Sequence, residues 1–155
     1  MMQLYFAYGS NMSTKRLCGR IPAAAPVGRA RLDGMRLAFN KPGRDRSGKA
    51  NLVPTPGSLV WGVLFEIARA DWATLDRFET GYERVLQRVE LPDGRQLDAH
   101  AYLWRAATPD LQPLDWYRSF LLEGAREHGL PDDYIALLER QSVAPAAARR
   151  RSGRP

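Results

Sequence analysis

The order of strand-like and helix-like segments is the feature of this sequence that most restricts its fold. Runs rich in β-branched and aromatic residues dominate the first two thirds of the chain, whereas helical periodicity dominates the last third. The predicted strands are Leu4–Tyr8, Met35–Phe39, Leu59–Ile67, Val85–Leu91 and Ala99–Trp104, and the predicted helices are Asp71–Phe78, Asp115–His128 and Asp132–Gln141. A doubly wound parallel sheet needs strands and helices in regular alternation, so this order predicts an α+β fold.

Turn residues add detail to this prediction. Asp93-Gly94 lies between the fourth and fifth predicted strands and is a strong signal for an antiparallel hairpin. Gly129 suits the end of one helix and Pro131 the start of the next. The segment 44–57 contains two prolines, two glycines and many polar residues, which predicts a long loop of the kind that often borders a site.

Composition excludes several classes of protein. The chain has 155 residues, the size of one ordinary domain, and Cys18 is its single cysteine, so no intrachain disulfide can form. With two histidines besides, no Cys/His zinc pattern can be written, and we expect no metal. No run approaches the ~18 apolar residues of a membrane span, and the start of the chain is unlike a signal peptide. We therefore expect a cytoplasmic protein without a membrane partner.

The positive charge is concentrated at the end of the chain. The formal net charge is +6, and four of the 23 basic residues are Arg149, Arg150, Arg151 and Arg154. Without these four, the remaining chain is close to neutral. This distribution predicts one domain over residues 1–143 and a basic, disordered tail over residues 144–155, with no specific nucleic-acid partner.

The tetrapeptide Tyr8-Gly9-Ser10-Asn11 follows the first predicted strand. Gly, Ser and Asn are typical of a tight turn at the end of a strand. Consecutive backbone N–H groups at such a turn also form a site that can bind an anion or an oxyanion. The spacing of these residues alone leaves both interpretations open.

Two familiar motifs do not fit their context. The segment 43–49 matches G-x-x-x-x-G-K, but Ala50 stands where Mg²⁺ coordination needs Ser or Thr, and no helix follows to face a phosphate. Ser10 lacks the G-x-S-x-G elbow of a nucleophile. His100 lies in a predicted strand and His128 at a predicted helix end, so neither is placed as a catalytic partner for Ser10. Nucleotide hydrolysis and Ser-His-Asp hydrolysis are therefore disfavoured.

Glu79 is the most informative acidic residue. At about 100° per residue, it falls on the same helical face as Trp72 and Leu75. A carboxylate on an apolar face is destabilised when it is ionised, so its pKa rises toward the range of a general base or acid. Alternatively, the last turn frays before Gly81 and Glu79 turns into water. Periodicity alone does not decide between these two interpretations.

Four segments carry a resemblance to a known family: "YFAYGSNM", "LVWGVLFEI", "LDRFETGYERV" and "GAREHGLPDDY". In that order they resemble the γ-glutamylcyclotransferase family and its AIG2-like relatives. The resemblance spans residues 4–138. It implies a small mixed β-barrel flanked by helices, no cofactor, and a reaction that releases 5-oxoproline from a small γ-glutamyl substrate.

The resemblance also implies roles for individual residues. Glu79, after an L-D-x-x motif, corresponds to the catalytic base. Substrate contacts are implied for the first strand and its Y-G-S-N loop, and for two later tyrosines: Tyr5, Phe6, Ala7, Tyr8, Gly9, Ser10, Asn11, Tyr82 and Tyr117. In many relatives Gly directly follows the catalytic Glu, whereas Thr80 stands there in this chain.

Several alternatives remain open within the family. Relatives act on γ-glutamyl amino acids, on γ-glutamylamines or on γ-glutamyl-protected intermediates, and the sequence does not choose among them. Whether the loop amides bind the α-carboxylate or the developing oxyanion is also not decided. A non-catalytic module that binds γ-glutamyl-like ligands is the alternative function, and a homodimer is an expected assembly.

Overall fold

The computed structural model describes residues 1–145 as a barrel with helices around it. The strands are β1 Met2–Ala7, β2 Ala25–Pro42, β3 Gly48–Ala68, β4 Glu83–Glu90 and β5 Gln96–Leu103, and the helices are α1 Thr14–Arg20, α2 Trp72–Phe78, α3 Asp115–Glu127 and α4 Asp132–Arg140. The α+β prediction is confirmed.

The five strands close into a barrel in the order β1-β3-β2-β4-β5. β1 and β5 pair in parallel at Tyr5 and His100, while the other neighbours are antiparallel, so the barrel is mixed as predicted. The predicted hairpin joins β4 to β5, and Gly94 has the positive φ (90°) that such a turn requires. Closure leaves few free strand edges.

The core lies inside the barrel and between the barrel and its helices. Consecutive residues of β3, from Val63 to Phe65, are all fully buried, which shows that this strand is covered on both faces. Leu121 of α3 and Leu138 of α4 are buried in the same hydrophobic cluster as Phe65. The helices in the last third of the chain therefore complete the core that the strands begin.

The prediction of a long loop over residues 44–57 is wrong. Only residues 43–47 form the turn, and β3 begins at Gly48, which pairs with Pro42. Pairing continues through Ala38 opposite Asn51, so the two long strands form one extended hairpin. Pro54 lies beside a register shift in β2, where a sheet tolerates a residue without an N–H. Local composition misled the prediction because the cross-strand partner is distant in sequence.

Helix α1 was not predicted from the sequence. It is seven residues long, buries only Leu17 and contains Gly19, so its periodic signal is weak. Ser13 caps it by accepting a hydrogen bond from the Arg16 amide at 3.3 Å. This capping serine follows the Y-G-S-N loop after one residue, Met12, so the helix begins next to that loop.

The end of the described chain stays attached to the body, because the Ala144 amide donates to the Pro113 carbonyl at 2.8 Å. Most of the predicted tail, residues 146–155, lies outside the described residues. The proposed boundary near residue 143 therefore remains a prediction. Within residues 1–145, no helix is both long and apolar enough to cross a membrane.

Helix α3 contacts the Y-G-S-N loop through a glycine. A Cβ atom at Gly124 would lie 2.3 Å from the backbone carbon of Met12, a distance that no side chain can occupy. Met12 is itself fully buried at the end of the short 3-10 turn Ser10–Met12. The missing side chain at position 124 thus sets how closely the loop approaches the helix.

We expect Gly124→Ala to lower the free energy of unfolding by about 1–3 kcal/mol, the range for inserting a methyl group into a packed contact. Gly19→Ala is the matched control, because Gly19 also lies in a helix but a Cβ there meets no atom within 4 Å. The control should gain about 0.5–1 kcal/mol from helix propensity. Urea unfolding of both variants measures the difference, and equal stabilities would contradict the close contact.

Candidate active site

A cavity of about 300 Å³ opens beside the end of β1, and five tyrosines line it. We call it the tyrosine-lined cavity. Its wall consists of Tyr5, Tyr8, Gly9, Ser10, Asn11, Arg16, Arg20, Lys41, Gly43, Arg44, Lys49, Ala50, Phe78, Glu79, Thr80, Tyr82, Tyr102 and Tyr117. These residues come from six separate segments of the chain, so the cavity exists only in the folded protein.

Glu79 ends helix α2 and points into this cavity. Its amide donates to the Leu75 carbonyl at 3.0 Å, and its carbonyl accepts from the Tyr82 amide at 3.0 Å, so the last turn is not frayed. Gly81 makes the reversal possible with a φ of 91°. The Glu79 side chain is only 16% exposed. Of the two interpretations of Glu79, the structure supports the buried one.

The Glu79 carboxylate is held by two neighbours. Its Oε1 accepts a hydrogen bond from Asn11 Nδ2 at 2.9 Å and lies 3.8 Å from Arg20 Nη1. Burial nevertheless raises the pKa of Glu79, and the positive charges of Arg20 and Arg16 offset only part of that rise. Glu79 is also the only carboxylate among the described residues that line the cavity. A carboxylate with a raised pKa gives and takes protons more readily near the pH of the cell than an ordinary surface carboxylate does, so Glu79 is suited to acid–base catalysis.

The Y-G-S-N loop continues from β1 and is tied to its surroundings by side chains. Asn11 Nδ2 donates to the Tyr5 hydroxyl at 3.0 Å as well as to Glu79. Ser10 Oγ accepts from Arg16 Nε at 3.0 Å. The Tyr8 hydroxyl donates to the carbonyl of Tyr102 on β5. These bonds fix the loop against the barrel.

The two later tyrosines meet at one residue of β3. The Ala50 amide donates to the Tyr117 hydroxyl at 3.0 Å, and the Tyr82 hydroxyl donates to the Ala50 carbonyl at 2.7 Å. A Cβ at Gly9 would lie 3.0 Å from Ala50 Cβ and 3.4 Å from the Tyr117 hydroxyl, so glycine lets the loop join this group. Burial raises the pKa of Tyr117 to about 12, which keeps its hydroxyl neutral.

The structure brings most of the predicted site residues together. Glu79 and seven of the nine predicted substrate-contact residues line the cavity: Tyr5, Tyr8, Gly9, Ser10, Asn11, Tyr82 and Tyr117. Phe6 and Ala7 do not line it, because both are buried in the core of the barrel. Phe6 cannot share the face of its neighbour Tyr5, since alternate side chains of a strand point to opposite faces.

Five basic residues of the cavity were not predicted: Arg16, Arg20, Lys41, Arg44 and Lys49. Arg16 and Arg20 are four residues apart just after the Y-G-S-N loop, and that helical spacing was an available signal. Arg44 lies in the turn at residues 43–47, and Lys41 and Lys49 lie on the strands on either side of it. This is also the segment that matches G-x-x-x-x-G-K, and a strand rather than a helix follows it.

Neither histidine lines the cavity. His100 packs edge-on against Trp72, with ring centroids 4.8 Å apart, and His128 Nε2 lies 3.0 Å from Thr14 Oγ1. Ser10 therefore has no imidazole to act as its base. Within residues 1–145, no group of three His, Cys, Asp or Glu side chains is arranged to hold a metal ion.

Comparison with known proteins agrees with this geometry. A family model described as "Gamma-glutamyl cyclotransferase, AIG2-like" matches residues 5–119. This chain belongs to that family. It is 34% identical over 143 residues to the human γ-glutamylcyclotransferase, which covers 84% of this chain and 74% of the relative. The bovine γ-glutamylcyclotransferase is 32% identical over 140 residues, with the same coverage.

The fold of the family is confirmed by a solved structure. A protein named gamma-glutamyl cyclotransferase superposes with a TM-score of 0.88 and 26% identity, covering 98% of both chains. The resemblance found in the four sequence segments and the predicted barrel fold are both confirmed by these comparisons.

Glu79→Gln tests the burial of the carboxylate through stability. Because the folded-state pKa is raised, the unfolded chain loses its proton first, and the parent's free energy of unfolding falls as pH rises from 4.5 through the raised pKa. The variant has no such proton to lose. We expect the free energies of unfolding of the two proteins to differ little below pH 4.5. At neutral pH, the variant should be at least as stable as the parent.

Urea unfolding of parent and variant at a series of pH values measures this difference. A variant less stable than the parent by about 1 kcal/mol or more at neutral pH would show that the ion pair with Arg20 outweighs the penalty of burial.

Proposed function

We propose that this protein is a γ-glutamyl cyclotransferase that releases 5-oxoproline from a γ-glutamyl compound, with Glu79 as general base and acid. The observation that carries the proposal is the position of Glu79: a buried carboxylate of raised pKa, hydrogen-bonded to Asn11 of the Y-G-S-N loop. Membership of the family supports the same activity.

In the proposed reaction, the α-amine of the substrate attacks its own γ-carbonyl carbon. A C–N bond closes the five-membered lactam, and the bond from that carbon to the leaving nitrogen breaks. Glu79 takes a proton from the α-ammonium group and later gives one to the leaving nitrogen, so the enzyme needs no nucleophile of its own. Intramolecular attack reaches effective molarities on the order of 10⁵–10⁸ M when the reacting groups are well oriented.

Orientation of the substrate is therefore the main task of the cavity. We assign the γ-glutamyl group to the Y-G-S-N loop, with the amides of Gly9 and Ser10 as the proposed donors to an anion or an oxyanion. The neutral hydroxyls of Tyr82 and Tyr117 face the same space. The cavity is large enough for a dipeptide-sized ligand.

The alternative of a non-catalytic binding module has less support. A module that only binds would use Glu79 to pair with the α-ammonium group of the ligand, but that role needs an ionised carboxylate and gains nothing from a raised pKa. A cytoplasmic location, a role in glutathione metabolism and assembly as a homodimer also remain part of this proposal.

Glu79→Gln is expected to lower turnover by roughly 10²–10⁴, the range of general acid–base catalysis, because the amide keeps the shape of the side chain but cannot accept the proton. Release of 5-oxoproline at saturating substrate measures this loss. Glu83→Gln is the matched control, since Glu83 lies outside the cavity, is 59% exposed and pairs with Arg105. Turnover of the control should stay near that of the parent.

The pH profile provides an independent test of the same role. A base must be ionised to act, so kcat/KM of the parent should fall as pH drops through the raised pKa, at a pH above 4.5. This acid limb should be absent in Glu79→Gln. Near-parental turnover in a folded Glu79→Gln protein would remove Glu79 as the base.

A further inference from the structure

Two lysines face each other across the strands that carry the tip of the β2–β3 hairpin. Lys41 of β2 and Lys49 of β3 are direct cross-strand partners, and both line the tyrosine-lined cavity. Like charges at directly opposed positions destabilise a sheet. The fold therefore maintains an unfavourable pair of charges at the wall of its candidate active site.

Lys49 is held in place by aromatic rings. Its Nζ lies 4.7 Å from the ring centroid of Trp116 and 4.6 Å from that of Tyr117, within the range of a cation–π contact. A Cβ at Gly43 would lie 2.9 Å from Lys49 Cε, so the glycine leaves room for this side chain to lie across the turn. Burial lowers the pKa of Lys49.

Lys41 is held in the same way on the other strand. Its Nζ lies 5.4 Å from the ring centroid of Trp104 and 5.5 Å from that of Tyr82. A Cβ at Gly81 would lie 3.1 Å from Lys41 Cε. Each ammonium group is thus positioned by two rings and one glycine, which lowers the entropy lost when a ligand binds.

The charges of the cavity are not balanced. Among the residues of 1–145 that line it, Glu79 is the only carboxylate, and Arg20 already pairs with it. None of the salt bridges formed within residues 1–145 involves Arg16, Lys41, Arg44 or Lys49.

Neither Asp45 nor the α-carboxylate of a bound γ-glutamyl group neutralises all of these cations. Asp45 is close enough to Lys49 to affect its pKa, but it forms no ion pair with it and accepts hydrogen bonds from Ser47 instead. The α-carboxylate of a γ-glutamyl group supplies one negative charge, which leaves further cationic groups without a partner. The remaining part of the ligand, the leaving amine, is therefore expected to be anionic.

We propose that Lys41 and Lys49 bind a carboxylate of the leaving amine, and that these two residues make the protein prefer γ-glutamyl substrates whose leaving amino acid has an acidic side chain. This inference rests on the proposed cyclotransferase activity and selects among its substrates. Neutral γ-glutamylamines lack the anionic partner, and a cationic leaving amine is repelled by both ammonium groups. The lysines take no part in the bonds that form and break, since they act on binding only.

The test compares three substrates of the full-length protein: γ-glutamylglutamate, γ-glutamylalanine and γ-glutamylalanine amide. The last two differ only in the carboxylate that the lysines are proposed to bind. Steady-state release of 5-oxoproline gives kcat and KM for each substrate. We expect the parent to prefer γ-glutamylglutamate to γ-glutamylalanine, and γ-glutamylalanine to its amide by about tenfold or more, the effect of a hydrogen bond to a charged group.

Lys41→Met and Lys49→Met are the informative variants. Each should raise KM for the two carboxylate-bearing substrates by about tenfold and leave kcat unchanged, because the lost interaction is the same in the ground state and the transition state. For γ-glutamylalanine amide, KM should change by less than about twofold. Lys15→Met is the matched control, since Lys15 is exposed on α1 and lies outside the cavity. This control should leave kcat and KM unchanged for all three substrates.

Several outcomes would overturn the inference. An equal loss on γ-glutamylalanine and its amide would show that the lysines bind the α-carboxylate of the γ-glutamyl group or support the fold. A parent that does not distinguish these two substrates would overturn it without any variant, even if a variant fails to fold. A parent that releases no 5-oxoproline from any substrate would instead contradict the proposed function itself.

Discussion

The hydrogen bond from Asn11 Nδ2 to Glu79 Oε1, at 2.9 Å, is the contact on which the candidate site depends. It joins the loop after the first strand to the end of helix α2, two segments that are 68 residues apart. The same amide group donates to the Tyr5 hydroxyl, so its orientation is determined from both sides. The side-chain NH₂ group of Asn11 has two hydrogens to donate and carries no charge. It therefore orients the Glu79 carboxylate without neutralising its charge.

The environment of the Glu79 carboxylate sets its pKa. Burial disfavours the ionised form of Glu79, and nearby arginines favour it, so the two effects oppose each other. The tyrosines of the same wall have pKa values raised by burial and stay protonated. They contribute hydroxyl groups of fixed position without competing for the proton. Glu79 is thus the group in this wall whose pKa burial raises while neighbouring positive charges hold that rise back.

The extended β2–β3 hairpin gives the cavity its other wall. Its tip carries Lys41, Lys49 and Ala50 to the cavity, with Ala50 next to Gly9 of the Y-G-S-N loop. Tyr82 and Tyr117 both bond to the backbone of Ala50, so the hairpin is attached to segments from two other regions of the chain. The charges that favour an anionic ligand and the bonds that position the tyrosines thus come from one element.

The sequence by itself determined the α+β class, the β4–β5 hairpin and the family, because these depend on local periodicity, turn residues and ordered motifs. It also identified Glu79, since an acid on an apolar helical face is visible from spacing alone. Only the tertiary structure decided that Glu79 is buried, that residues 48–57 form a strand, and that Phe6 and Ala7 face the core. The gathering of the basic residues around one cavity was likewise beyond the sequence, because burial and charge imbalance arise between segments that meet only when the barrel closes.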